Sequence, residues 1–125
     1  MNYSVIINDQ AYELPNKTIS VVKDLDRLMK IDSVKGLGIE ERYRELYNFE
    51  KNLLGEENVK NILGTDNFND VDLSTVTLTF LKIKDTYEKP VADYKIEKSM
   101  STLNSMQVDK VVNLMNVAKE VPVSK

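Results

Sequence analysis

The residues best suited to chemistry in this chain are its carboxylates and its phenols. The carboxylates stand in groups: Glu40 with Glu41, Glu56 with Glu57, and Asp66 with Asp70 and Asp72. Paired carboxylates could act on a glycosidic bond, and an Asp-rich loop could hold calcium. The loop from Asp66 to Asp72 lacks the spacing and the closing glutamate of an EF-hand, and helix capping accounts for its aspartates better. No serine, lysine or tyrosine lies in a recognisable nucleophile motif. Histidine and cysteine are both absent. That removes the commonest general base, the commonest transition-metal ligand, thiolate sites and disulfides. Gly36-Leu37-Gly38 has neither a preceding strand nor a third glycine, so it reads as a turn rather than a phosphate cradle. The expectation is a protein that is not an enzyme, carries no cofactor and no metal, and works through its surfaces.

Bulk properties narrow those surfaces. The 125 residues have the size of one domain with a core of its own. An apolar fraction of 42% is that of a globular chain. The net charge is −3 with both signs interspersed, so no sustained positive field exists for nucleic acid. No apolar run approaches the ~20 residues of a membrane span, and the N-terminus lacks a basic-then-apolar leader pattern. A cytoplasmic protein is expected.

The elements that must position any site follow from hydrophobic period. Tyr3, Val5 and Ile7 alternate with Ser4 and Ile6, Asn8-Asp9-Gln10 is a turn cluster, and Tyr12 and Leu14 resume the alternation before Pro15. This predicts a β-hairpin over residues 1–15, which needs helices or another chain to pack on. A helical part spans 18–64. Thr18 or Ser20 caps a first helix carrying Val22, Leu25 and Met29, with Val21 and Leu28 beside them. A second runs from Ile39 to Leu54 and closes at Gly55; a short third runs from Glu56 to Leu63 and ends at Gly64. Ile39, Tyr43, Leu46, Tyr47, Leu53 and Leu54 share one face of the second helix, and Glu50 falls in its middle. A rim position or a local kink would explain that carboxylate; so would a salt bridge across a packing seam.

A second helical part spans 70–121, organised around the stretch from Asp70 to Tyr94. Val76, Leu78 and Phe80 alternate with threonines, as in a strand, but parity breaks at Leu81. Leu73, Val76, Phe80, Ile83 and Tyr87 hold a helical stripe throughout, with Asp70 or Asp72 as cap. Thr79 falls off that stripe. Pro90 stops this helix or begins the next, and Asn104-Ser105 offers a cap for a last one. The fold class is therefore α+β, mainly α-helical: an N-terminal β-hairpin followed by about five helices in one compact domain, residues 1–125.

Two surfaces stand out as candidates for partners. In the last helix Val108, Val111, Val112, Met115 and Ala118 form a core stripe, while Leu114, Val117 and Val121 lie on another side. The second set faces either a further core helix or a subunit or partner. The aromatics Tyr43, Tyr47, Tyr87 and Tyr94 are the alternative partner-binding residues. The hairpin edge adds a route to self-association.

The order of parts resembles the small tail assembly chaperones of siphophages infecting Gram-positive bacteria. The resemblance is carried by the hairpin V-I-I-N-D-Q-A-Y-E-L and by R-Y-R-E-L-Y-N-F-E-K-N-L-L-G. It is carried most by F-L-K-I-K-D-T-Y-E-K-P-V-A-D-Y-K-I-E-K-S-M and the following D-K-V-V-N-L-M-N-V-A-K. It implies a late, nonstructural protein of the host cytoplasm, absent from the mature virion. Such a protein self-associates into oligomers and keeps the helical tape-measure protein soluble before tail-tube polymerisation. Other readings are a minor structural tail or head–tail joining protein, and a phage regulator that binds a host protein.

Overall fold

Alternation shapes the N-terminus. In the computed structural model, which describes the backbone of residues 1–120 and the side chains of residues 1–103, the chain opens as an antiparallel hairpin. Strand β1 (Tyr3–Ile7) pairs with β2 (Gln10–Leu14), placing Val5 opposite Tyr12 and Ile7 opposite Gln10. Asn8 and Asp9 join them with φ of 53° and 63°. Two positive φ values make a turn whose twist suits the strands, and Asn and Asp tolerate that conformation better than other side chains with a Cβ. Val5, Ile7, Tyr12 and Leu14 are buried on one face, and Ser4, Ile6, Ala11 and Glu13 are exposed on the other.

Helix α1 (Ile19–Met29) starts at Thr18, whose hydroxyl accepts from the Val21 amide at 3.4 Å. Its buried row is Val21, Leu25 and Leu28. Val22 and Met29, expected on that row, are exposed instead. Val22, Leu25 and Met29 follow i, i+3, i+7 and Val21, Leu25 and Leu28 follow i, i+4, i+7; both are helical stripes, and packing selects the second. A short 3₁₀ turn at Ile31–Ser33 leads to α2 (Ile39–Leu54), then to α3 (Glu56–Leu63). Gly55 ends one helix and begins the next at φ 90°, and Gly64 caps α3 in the left-handed region, where glycine has no Cβ to clash.

Helix α4 (Leu73–Glu120) is capped by Asp72, whose Oδ1 accepts from the Ser74 and Thr75 amides at 2.8 and 3.2 Å. Val76, Phe80, Ile83 and Tyr87 are buried in helical register, so the helical reading of this stretch holds over the strand. Leu73, at the exposed start, is only partly covered. Pro90 neither stops the helix nor begins another, and the backbone is helical through Asn104-Ser105 as well. A proline in a helix removes one hydrogen bond and crowds the carbonyl four residues back, a local cost that a long helix can absorb. Among the described residues, four α-helices therefore follow the hairpin.

The chain forms two compact units, Met1–Glu88 and a second that begins at Lys89. The first holds the core: the inner hairpin face, α1, α2, α3 and the opening turns of α4 contribute to one cluster. Ring contacts tie it together, Phe49 to Phe80 at 5.7 Å and Tyr3 to Tyr87 at 4.9 Å between centroids. In the second unit every described side chain from Val91 to Leu103 is exposed.

Candidate functional site

The first unit carries a partly open, mainly apolar groove of about 420 Å³. Its walls come from three helices: Leu28 and Met29 of α1, Ile39, Tyr43 and Leu46 of α2, and Thr77, Phe80 and Leu81 of α4. Leu46 and Phe80 are buried and form its floor, while Ile39 is 71% exposed and Met29 47%. A second hollow of about 260 Å³ shares Ile39 and Tyr43 and extends past Phe68, Val71 and Leu73. Ile39 and Tyr43, one turn apart on α2, thus form the shared wall of two adjoining hollows, which together make up the channel. Along α4 the channel follows Leu73, Thr77 and Leu81, spaced by four, a run of about 12 Å at 1.5 Å per residue.

Local sequence explains why these side chains stay uncovered. Ile39 is the first residue of α2, and Leu73, Thr77 and Leu81 form a row beside the buried stripe of α4. Phe68 sits on a 3₁₀ turn held by Asn67, whose Oδ1 accepts from the Asn69 amide. Its ring meets that of Tyr47 at 5.2 Å and carries the Arg44 guanidinium 4.2 Å above it, which anchors the end of the channel. Arg42 stands at the other rim, with Nε donating to the Leu37 carbonyl at 3.2 Å and Nη1 3.9 Å from Asp32.

The lining of the main groove is mainly apolar. Asp32 and Arg42 are the charged groups of the main groove, and they pair with each other at its edge. Among the described residues no group of three acidic side chains could hold a metal ion. Of the Asp66–Asp72 carboxylates, Asp70 accepts from the Asn67 side chain and Asp72 caps α4.

The structure disperses the expected partner-binding residues. Tyr43 lines both hollows, half buried. Tyr94 is 62% exposed in the second unit. Tyr47 and Tyr87 are corrected to core residues: both are buried, and their hydroxyls are satisfied by the Asp66 carbonyl at 3.4 Å and the Pro15 carbonyl at 2.8 Å. A tyrosine whose hydroxyl finds a backbone acceptor can be buried without an unmet polar group, so helical spacing alone marks it for a core. Burial, with the Tyr3 phenol as a smaller cause, pushes the Tyr87 phenol up to about 12. Leu114, Val117 and Val121 lie outside the residues whose side chains are described. Sequence reasoning did not single out Leu81 or Thr77 for the site, and it left Phe68 as either an anchor to the core or an exposed contact. The signal available was the break of alternation at Leu81, which serves a second helical row.

Glu50 also corrects the expectation. It lies neither at a rim nor in a salt bridge: its exposure is 0%, and neither carboxyl oxygen has a hydrogen-bond partner among the described residues. Burial pushes its carboxyl up from 4.5 to about 9, so it is neutral at pH 7.

Comparisons with protein-family models, with curated proteins and with solved structures find no match to this chain. Among the described residues no helix is long and apolar enough to cross a membrane.

Proposed function

We propose that this protein is a non-catalytic helix-binding protein whose groove takes one face of an amphipathic partner helix. The observation that carries this is the channel itself: two apolar hollows joined at Ile39 and Tyr43, with a row of α4 side chains about two turns long as one wall. A partner helix presents anchors at i, i+4 and i+7 over the same length, which is the usual grammar of helix-in-groove recognition. Following the sequence resemblance, the client is a phage tape-measure protein. The protein then acts as a nonstructural tail assembly chaperone in the cytoplasm of the infected host. It needs no nucleic acid and no membrane for this role.

The energetics suit a removable escort. Two or three anchors contribute about 1.5–3 kcal/mol each when fully buried, and association entropy takes back a large share. One groove therefore grips weakly. Self-association into oligomers multiplies the grooves along one client and raises avidity while each contact stays displaceable. The decisive experiment is co-expression with the tape-measure protein followed by size-exclusion chromatography. The wild type should keep the client soluble and co-elute with it. Ile39→Lys combined with Leu81→Glu, both at exposed positions, should lose the client while unfolding like the wild type. A client that aggregates regardless, or that is retained equally by the double variant, removes this reading. Recovery of the protein from purified virions would favour a structural tail role instead.

A further inference from the structure

Glu50 lies outside the groove lining and within the core of the first unit. It sits at the centre of the α2 face, shielded from solvent, with both carboxyl oxygens unpartnered among the described residues. The charged and titratable groups named on the surrounding elements are either paired elsewhere or exposed to solvent. On α2, Lys51 lies 3.7 Å from Glu56 and over the Tyr47 ring, and Arg42 donates to the Leu37 carbonyl. On α4, Lys84 pairs with Glu88 and the Tyr87 hydroxyl donates to the Pro15 carbonyl. On the hairpin, Tyr12 donates to Gln10 Oε1 and Glu13 is exposed; on α1, Arg27 pairs with Asp24 and Glu45; on α3, Lys60 is exposed. Thr79 is the only other buried polar side chain described.

An ionised carboxylate in such a place has no cation and no donor to replace its water, whereas the neutral acid leaves only a hydroxyl and a carbonyl unmet. We propose that Glu50 is a proton lock: the first unit closes around the neutral carboxyl, and loss of that proton releases α2 from the core. In that step the carboxyl O–H bond breaks, the proton passes to water, and the carboxylate is solvated as the seam opens. Leu46 lies one turn before Glu50, and Phe80 meets the ring of Phe49, so the released seam is also the floor of the groove. This last consequence rests on the proposed function; the lock does not.

The sign of the effect is fixed by linkage. The folded state holds the Glu50 proton up to about 9, while the unfolded chain gives it up near 4.5. Stability from this group is therefore full below the lower value and is lost as pH rises towards the higher one. Urea unfolding of the full chain, followed from pH 5 to 9, tests the lock. The wild-type unfolding constant should rise about tenfold per pH unit, and Glu50→Gln and Glu50→Leu should each remove that rise. A flat wild-type profile, or the same slope in Glu50→Gln, overturns the proposal. Should neither variant fold, the side-chain carboxyl ¹³C resonance of Glu50 in glutamate-labelled wild type decides the matter. A titration midpoint well above the ordinary glutamate range supports the lock, and one within that range overturns it.

Discussion

At the scale of single residues, burial and the availability of a partner decide what each side chain does. Phe80 and Thr79 are adjacent and both buried, at 3% and 2% exposure, although spacing alone placed Thr79 away from the core stripe. A row next to a buried stripe can be covered by a neighbouring element that one-dimensional spacing does not see. The two still differ in what they bury. Phe80→Ala deletes a ring that packs on Phe49 and should cost about 3–5 kcal/mol. Thr79→Ala removes one methyl and one hydroxyl and should cost about 1–2 kcal/mol. Urea midpoints of the two variants check this; equal losses would mean that the Phe49–Phe80 contact is not a centre of the core. Glu50 shows the other limit of sequence reading. Its place at the middle of the α2 face follows from 100° per residue, but whether a neighbour brings a cation is a property of the assembled core.

At the scale of elements, turn and cap chemistry was the most legible part of the chain. Asn8-Asp9, Thr18, Gly55, Gly64 and Asp72 each mark a boundary through a backbone requirement that acts within a few residues. The stripe Val76, Phe80, Ile83, Tyr87 was equally readable because four regularly spaced apolar groups outweigh the local β-branched threonines. Pro90 was misread as a boundary. Its cost is confined to one missing hydrogen bond at the Thr86 carbonyl and a steric push, and Thr86 Oγ1 already leans back to the Lys82 carbonyl at 2.8 Å, a contact that tends to bend helices. Replacement by alanine should restore the missing bond. Pro90→Ala is expected to raise helical circular dichroism and to stabilise the segment around residues 86–94 by up to about 3 kcal/mol. Amide hydrogen exchange over that segment is the measurement. Faster exchange in the variant would show that the proline is needed for the local geometry.

At the scale of the whole molecule, the two units differ in what holds them. The first has a shared core and a groove, and the hairpin and helix patterns were enough to anticipate its class. The groove was less legible, because a channel is made of residues left over after the core has formed, from three helices distant in sequence. The second unit exposes Val91, Tyr94, Ile96, Met100 and Leu103, each at least half accessible, along a helix with no described core of its own. An isolated helix is marginal in water, and exposed apolar side chains of this kind are a surface that another copy or a client can cover. Ile96, Met100 and Leu103 are spaced by four and three and can anchor such a contact on one side, while Val91 and Tyr94 lie on another. Two sticky sides on one helix favour assemblies that need not close at a dimer. A chain ending at Lys95 keeps Tyr87 and two further helical turns. It should unfold cooperatively with a urea midpoint close to that of the full chain. In light scattering over a series of concentrations, the full chain should grow beyond a dimer and the shortened one should remain a monomer. If both stay monomeric at high concentration, the exposed side chains of the second unit are not a self-association surface. If both assemble alike, the contact belongs to the first unit, and the outward hairpin face with Ile6, 66% exposed, becomes the place to mutate next.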